Sequence, residues 1–164
     1  MPFFDVSLIC LNGHMINDKA RHEPEYNSPF CETCQAATIS KCPACKQDIR
    51  GREYEEKSGY MGQTDILEGY PCTVPPNCRL CGGEFPWTEA KRKAALEMFA
   101  EQIAEEAERQ QFERNLADAM NDTPRAGVAG KLLAKQLKGA GSFLQTFVVE
   151  IVSETAKKIL MEGR

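Results

Sequence analysis

The chain has 164 residues, enough for one ordinary domain or two small modules. Apolar residues make up 42% and charged residues 27%, a balance typical of a folded soluble protein that excludes a disordered tail. No apolar run reaches the roughly 18 residues of a transmembrane helix. The opening residues, MPFFDVSLIC, lack the basic region and cleavage site of a signal peptide, so we expect a cytoplasmic protein.

The distributions of cysteine and of charged residues along the sequence both divide the chain into two parts. All eight cysteines lie between Cys10 and Cys81, and residues 88–164 are rich in Ala, Glu, Lys and Leu. Residues 1–87 hold eight of the 20 basic and 12 of the 24 acidic residues, so their net charge is −4. Clustered Lys and Arg normally neutralise phosphate backbones, so this acidity makes nucleic acid an unlikely general partner.

Four pairs of candidate metal ligands follow one another in the first part. In a reducing cytoplasm, thiols paired at such spacings are more often metal ligands than disulfides. A C-x2-C turn places two sulfurs on one side of a tight loop, and zinc is the usual ion for tetrahedral N/S sites. We therefore expect two zinc ions per chain. The four pairs are Cys10/His14, Cys31/Cys34, Cys42/Cys45 and Cys78/Cys81.

The pairs can share two ions in two ways. A sequential arrangement joins the first pair to the second (site 1) and the third to the fourth (site 2). A cross-brace, as in RING-type folds, joins the first to the third and the second to the fourth. Seven residues separate Cys34 from Cys42, more than RING patterns have, which favours the sequential arrangement. Each site then has four protein ligands and no position open for water, which is typical of structural zinc.

Two further residues could take part in metal chemistry. Cys72 belongs to no pair and has no Lys or Arg beside it that would lower its pKa, so we interpret it as a partly buried small residue. We expect His22 to be an exposed loop residue, because the first pair already contains a histidine.

Taken together, these motifs resemble an uncharacterised bacterial family, domain of unknown function 2321. The resemblance extends over nearly the whole chain and is most specific in DVSLICLNGH at residues 5–14. It implies a tandem zinc-ribbon module followed by helices in a bacterial cytosolic protein, and it implies no activity. The other matching segments are residues 16–18, 31–34, 38–39, 41–45, 49–51, 78–82, 85–89 and 151–160.

The second part predicts helices over residues 88–119, 124–138 and 142–161. Thr88 is a suitable N-cap, and neither Gly nor Pro occurs between residues 89 and 119. The predicted fold is thus a small metal-bound α+β protein. It has a tandem zinc-ribbon module over residues 1–87 and a bundle of about three helices over residues 88–164.

The last predicted helix has an unusual distribution of apolar residues. Seven of the ten residues in FLQTFVVEIV (143–152) are apolar and lie around most of the helix, so it must be buried. Either a three-helix bundle within one chain or self-association would bury it.

Three functions are compatible with these features. The first is a non-enzymatic interaction or adaptor protein with structural zinc and helices that oligomerise or dock a partner. No phosphate-binding loop, nucleophile elbow or H-E-x-x-H motif is present, so we expect no enzyme. The alternative is a nucleic-acid-binding zinc-ribbon regulatory factor, and a cross-brace would instead indicate an enzyme or an E3-like module. The alternative would use Arg50, Arg52 and Arg79, with Tyr54, Tyr60 and Trp87 for stacking.

Overall fold

A computed structural model of the protein describes residues 2–58 and 64–162. Within these residues the chain forms two units, divided between Glu89 and Ala90. Small antiparallel sheets dominate the first unit and α-helices dominate the second, so the chain has a small α+β fold. Tyr60, one of the predicted stacking residues, lies outside the described residues.

Two three-stranded antiparallel sheets make up the first unit. The order of the first sheet is β1-β5-β6, and that of the second is β3-β2-β4. A short 3-10 helix, Pro24–Tyr26, lies in the connection between β3 and β4. The strands are β1 (Pro2–Val6), β2 (Leu8–Cys10), β3 (Met15–Asn17), β4 (Thr38–Ile39), β5 (Arg50–Ser58) and β6 (Thr64–Glu68).

The chain passes from one sheet to the other at Ser7, the single residue between β1 and β2. Ser7 is fully buried; its N–H donates to the carbonyl of Ile49 at 2.8 Å and its hydroxyl to the carbonyl of Arg50 at 3.0 Å. Beside it, a Cβ atom on Gly51 would lie 2.7 Å from the carbonyl carbon of Val6. Only glycine lets the backbones approach this closely, so Gly51 fixes how β5 crosses the end of β1.

The core of the first unit is small and contains cysteine. Its buried aliphatic and aromatic members are Ile9, Ile49, Phe85 and Trp87, and Cys42 and Cys78 are buried among them. The Phe85 and Trp87 rings stack with their centroids 4.6 Å apart. A core of this size gives little hydrophobic stabilisation, so the unit needs another source of stability.

The second unit has a larger apolar core, supplied by every helix. Phe112, Leu116, Leu133 and Val148 are fully buried, and Phe99 stacks on Phe112 with a centroid distance of 3.9 Å. The helices are α1 (Pro86–Gln102), α2 (Glu106–Met120), α3 (Ala126–Gln136), α4 (Ser142–Ile151) and α5 (Glu154–Glu162).

The prediction of one helix over residues 88–119 is wrong, because the chain breaks between Gln102 and Glu106 into α1 and α2. In a continuous helix, Phe99 and Phe112 would lie about 20 Å apart along the axis. Their stacking requires the chain to turn back, so tertiary packing overrides local helix propensity. The helix also begins earlier than predicted, at Pro86, and the Thr88 hydroxyl donates to the carbonyl of Pro76 instead of capping it.

The prediction of one helix over residues 142–161 is also wrong. The chain leaves the helical conformation at Val152 and Ser153, and α5 begins at Glu154. The Ser153 N–H donates to the carbonyl of Ala119 at 2.8 Å, and its hydroxyl lies 3.4 Å from the N–H of Ala156. Residues 86–162 thus contain five α-helices where about three were predicted, and α3 is shorter than the predicted 124–138.

Every helix formed by residues 2–58 and 64–162 is too short or too polar to cross a bilayer.

Leu133→Ala should destabilise the second unit by about 2–5 kcal/mol, because it removes a fully buried side chain and leaves a cavity. The matched control is Val128→Ala on the same helix, since Val128 is 55% exposed. Urea denaturation followed by far-UV circular dichroism measures both. Equal effects of the two substitutions would contradict this packing of α3.

Candidate metal centres

Four tight loops carry the predicted ligand pairs. The Cys10–His14 loop joins β2 to β3, with the Cys10 N–H donating to the His14 carbonyl at 3.0 Å. The three C-x2-C loops are closed by isolated bridges or short strands on either side, such as Phe30 with Ala37. Each pair of donors is thus held at the tip of a small hairpin.

The three C-x2-C loops share one hydrogen-bond pattern. The N–H of the first cysteine donates to the carbonyl five residues on, and its carbonyl accepts from the N–H four residues on, at 2.8–2.9 Å. The residue four positions after the first cysteine has a positive φ in every case. These residues are Gln35 (φ 59°), Lys46 (φ 61°) and Gly82 (φ 72°).

The first group brings together Cys10, His14, Cys31 and Cys34, whose ligand atoms all lie within 4.8 Å of one another. The His14 Nδ1 lies 3.5 Å from the sulfurs of both Cys10 and Cys31, and the Cys10 and Cys34 sulfurs are 3.7 Å apart. Cys10 and Cys31 are buried, whereas His14 lies at the surface.

The second group brings together Cys42, Cys45, Cys78 and Cys81 within the same limit. The Cys42 and Cys81 sulfurs are 3.8 Å apart, and those of Cys45 and Cys78 are 3.6 Å apart. Cys42 and Cys78 belong to the apolar core of the first unit, whereas Cys81 is exposed. One side of this group therefore packs against the core.

These distances fit a tetrahedral ion. A metal–sulfur distance of about 2.3 Å places two ligand sulfurs about 3.8 Å apart, and a nitrogen ligand at about 2.0 Å lies about 3.5 Å from each sulfur. The observed sulfur–sulfur distances of 3.6–3.8 Å and nitrogen–sulfur distances of 3.5 Å match both values. A disulfide would need about 2.05 Å, so none of these measured sulfur pairs is one. Both groups geometrically suit zinc.

The grouping is sequential. Cys10 and His14 lie with Cys31 and Cys34, and not with Cys42 and Cys45 as a cross-brace requires. The chain between Cys34 and Cys42 contains β4, which pairs with β2 beside the first group. Because these residues complete one sheet, they separate the second pair of cysteines from the third and favour two successive sites.

The thiols of each group differ in acidity. A hydrogen bond from the Ala36 N–H lowers the pKa of Cys34 to about 6, and one from the Cys81 N–H lowers the pKa of Cys78 to about 6. The Gln47 N–H lowers the pKa of Cys45, but burial and neighbouring thiols outweigh it and raise that pKa to about 11. Each group thus holds one thiolate at neutral pH, and the thiolate is the form of cysteine that binds a metal ion.

The two residues predicted to stand apart lie outside both groups. His22 is exposed, and its ring lies 5.5 Å from that of Tyr54. Cys72 is half-buried; its sulfur lies 3.4 Å from the carbonyl of Arg50 and its N–H donates to Asp18 at 2.8 Å.

Among the described residues proposed for nucleic-acid binding, the aromatic ones are not available for stacking. Tyr54 is 4% exposed and Trp87 is 2% exposed, with its indole N–H donating to the carbonyl of Pro75. Arg52 pairs with Asp18 at 3.0 Å and with Glu68. Of the six residues, only Arg50 and Arg79 are both described and exposed without such a partner.

A charged network beside the first sheet was not anticipated from the sequence. Asp18 accepts hydrogen bonds from Arg52 and from the N–H of Cys72, and these outweigh its burial and lower its pKa. Lys19 lies 2.7 Å from Glu23 and 3.0 Å from Glu68, which also pairs with Arg52. The network joins residues 18–23 to Arg52, Glu68 and Cys72, which lie far away in sequence, so no local pattern could reveal it as a whole.

The fold and the two donor groups define a small α+β protein with two four-ligand sites of tetrahedral geometry. The chain matches the family described as "Uncharacterized protein conserved in bacteria (DUF2321)" over residues 3–160. It belongs to this bacterial family, which confirms the resemblance drawn from its motifs. Comparisons with curated proteins and with solved structures find no match.

Cys78→Ser should reduce the metal content by one ion per chain, because it removes a sulfur from a complete four-ligand group. Cys72→Ser is the matched control, since it removes the cysteine that lies outside both groups. Native mass spectrometry of the purified variants counts the bound ions. A loss caused by Cys72→Ser, or none caused by Cys78→Ser, would contradict the assignment.

Lys46→Gly should stabilise the first unit by about 0.5–1 kcal/mol, because glycine adopts a positive φ without steric cost. Gly82→Ala should destabilise it by about 1 kcal/mol; a Cβ there meets no atom within 4 Å, so the cost is conformational. Lys46→Ala is the control, since it removes the charge but keeps the strain. Chemical denaturation in the presence of zinc, followed by Trp87 fluorescence, tests all three. Equal stabilisation by Lys46→Ala and Lys46→Gly would refute the conformational explanation.

Proposed function

We propose that this protein is a non-enzymatic adaptor whose first unit is held together by two structural zinc ions. The observation that carries this proposal is that both donor groups contain four protein ligands at tetrahedral distances. A catalytic zinc ion usually has three protein ligands and keeps one position for water or substrate. A group that already has four ligands offers no such position.

The small core explains why the metal would be needed. Cys42 and Cys78 pack directly against Ile49 and Phe85, so an ion bound to these sulfurs would join two distant chain segments within the core. In modules of this kind, the free energy of metal binding becomes free energy of folding. In this proposal, the four hairpin loops form a tandem zinc ribbon, with the first ion held by the loops around β2 and β4.

The donor types favour zinc. Sulfur and imidazole ligands in a tetrahedron suit Zn²⁺, whereas hard cations prefer oxygen. Four cysteines could also hold iron, but the imidazole of His14 makes the first group typical of zinc. A cytoplasmic location fits, because thiols remain reduced and available for metal there.

The helical unit supplies the second half of the proposal, a surface for self-association or partner docking. On α4, Leu144 and Val148 are buried, whereas Phe143 is 74% exposed. Val128 on α3 and Met161 on α5 are also more than half exposed. A groove of about 410 Å³ on the same unit is lined mainly by apolar side chains such as Leu137 and Val149. The proposal assigns these exposed apolar side chains and the groove to an interaction surface, since contiguous exposed apolar patches mark such surfaces.

The proposal predicts two zinc ions per chain in an oligomer, measured by native mass spectrometry of freshly purified full-length protein. Phe143→Glu should shift the population toward monomer without changing the metal content. Thr146→Glu is the control, because it adds the same charge at another exposed position of α4. A zinc-free chain with its cysteines in disulfides would overturn the structural-zinc proposal. A zinc-bound monomer, unaffected by either substitution, would leave partner docking as the role of the helices.

A further inference from the structure

Three adjoining clefts lie on the first unit, away from the donor atoms of the first group. Their volumes are about 570, 290 and 530 Å³, and Asp48 lines all three. Arg21 lines the first two, whereas Arg50 and Arg79 line the second and third. We call this continuous surface the basic groove, defined by Arg21, Lys41, Asp48, Arg50, Arg79 and Phe4.

The groove concentrates positive charge in an acidic unit. It contains four of the eight Lys and Arg residues in residues 1–87, although that segment has a net charge of −4. Arg21 pairs with Asp48, and Lys41 lies 3.9 Å from the same carboxylate. Arg50 and Arg79 have no ion-pair partner within residues 2–58 and 64–162. The middle of the groove therefore carries two guanidinium groups that form no ion pair with the described residues, although Asp5 and Glu53 line the same clefts.

Phe4 supports the guanidinium of Arg50, whereas for Arg79 it is the backbone of its loop that is fixed. The guanidinium of Arg50 lies over the ring of Phe4, 3.0 Å from its centroid. A stacked guanidinium keeps its edge N–H donors available for a carboxylate. Arg79 lies between Cys78 and Cys81, in a loop whose ends are fixed by hydrogen bonds at 2.8 Å. Donors placed in advance lose less conformational entropy when they bind.

We propose that the basic groove binds an extended acidic segment of a partner protein, whose carboxylates pair with Arg50 and Arg79. This inference rests on the proposed adaptor function and specifies the chemistry of its partner. Arginine forms two parallel hydrogen bonds with a carboxylate, which provides orientation as well as attraction. Tyr70, 93% exposed, and Phe4 line the same cleft and suit apolar side chains between the carboxylates.

The structure favours a peptide over a nucleic acid. Single-stranded nucleic acids bind through aromatic stacking platforms together with a basic groove. Tyr54 and Trp87 are buried and Tyr70 is exposed in the groove, but the carboxylates of Asp5, Asp48 and Glu53 also line it and would repel a continuous row of phosphates. An extended peptide presents side chains on alternate sides and can place carboxylates only where arginines are unpaired.

Fluorescence anisotropy of the full-length zinc-loaded protein tests the proposal. The probe is a fluorescein-labelled peptide of about ten residues, rich in Glu and containing Phe, which spans about 30 Å when extended. Arg50→Glu and Arg79→Glu should each weaken binding about tenfold or more, because each replaces a hydrogen-bonded ion pair with repulsion. Lys57→Glu is the matched control: it makes the same charge change in the same unit, outside the groove. Binding should also weaken as salt concentration rises.

The outcomes separate this inference from the proposed function. If Arg50→Glu and Arg79→Glu keep their zinc content but lose peptide binding, the result supports the proposal that the groove binds an acidic peptide. Absence of peptide binding at low salt, or equal weakening of binding by Lys57→Glu, would refute the proposal that the groove binds an acidic peptide. The proposal of a zinc-bound adaptor would then still stand. Tighter binding of a single-stranded RNA oligonucleotide, lost in the same two variants, would reassign the groove to nucleic acid. A chain without zinc would instead refute the proposed function.

Discussion

The convergence of seven sulfurs and one imidazole nitrogen into two tetrahedra is the constraint on which the first unit depends. Cys34 and Cys78 have pKa values of about 6, so each group contains a thiolate at neutral pH beside other polarisable sulfurs. Metal binding requires every cysteine ligand to be a thiolate, and thiolates 3.6–3.8 Å apart repel one another unless a cation lies between them. The proposed zinc ions would supply that charge and add to the stability that the small hydrophobic core provides.

The ligand geometry constrains the first unit in two ways: within each loop and between loops that are distant in sequence. Each C-x2-C loop forms its own turn, with a positive φ at the residue that follows the second cysteine. The second group then ties the loop after β4 to the segment that precedes α1, more than 30 residues away in sequence. Ser7 has a similar role without metal, since it connects β1 to β2 and hydrogen-bonds to the start of β5.

Hydrophobic burial stabilises the second unit. Its core consists of aliphatic and aromatic side chains from five helices, and the Phe99–Phe112 stack holds α1 against α2. The proposed adaptor therefore combines a unit that depends on metal with one that depends on hydrophobic burial. The two should respond differently to chelators and to denaturants, as their sources of stability differ. The exposed Phe143 and the basic groove give the units chemically distinct surfaces, one apolar and one cationic.

The sequence alone determined the features that depend on short spacings: the four donor pairs, the closing turns, the family and the helical character of residues after Pro86. Only the tertiary structure decided features that join distant residues. The helix breaks at residues 103–105 and 152–153 follow from aromatic stacking and from the Ser153–Ala119 hydrogen bond, which no local pattern encodes. Tyr54 and Trp87 look like exposed stacking residues in the sequence, but long-range packing buries them. The basic groove likewise exists because folding brings Phe4, Arg50 and Arg79 together, and periodicity reports only neighbours along the chain.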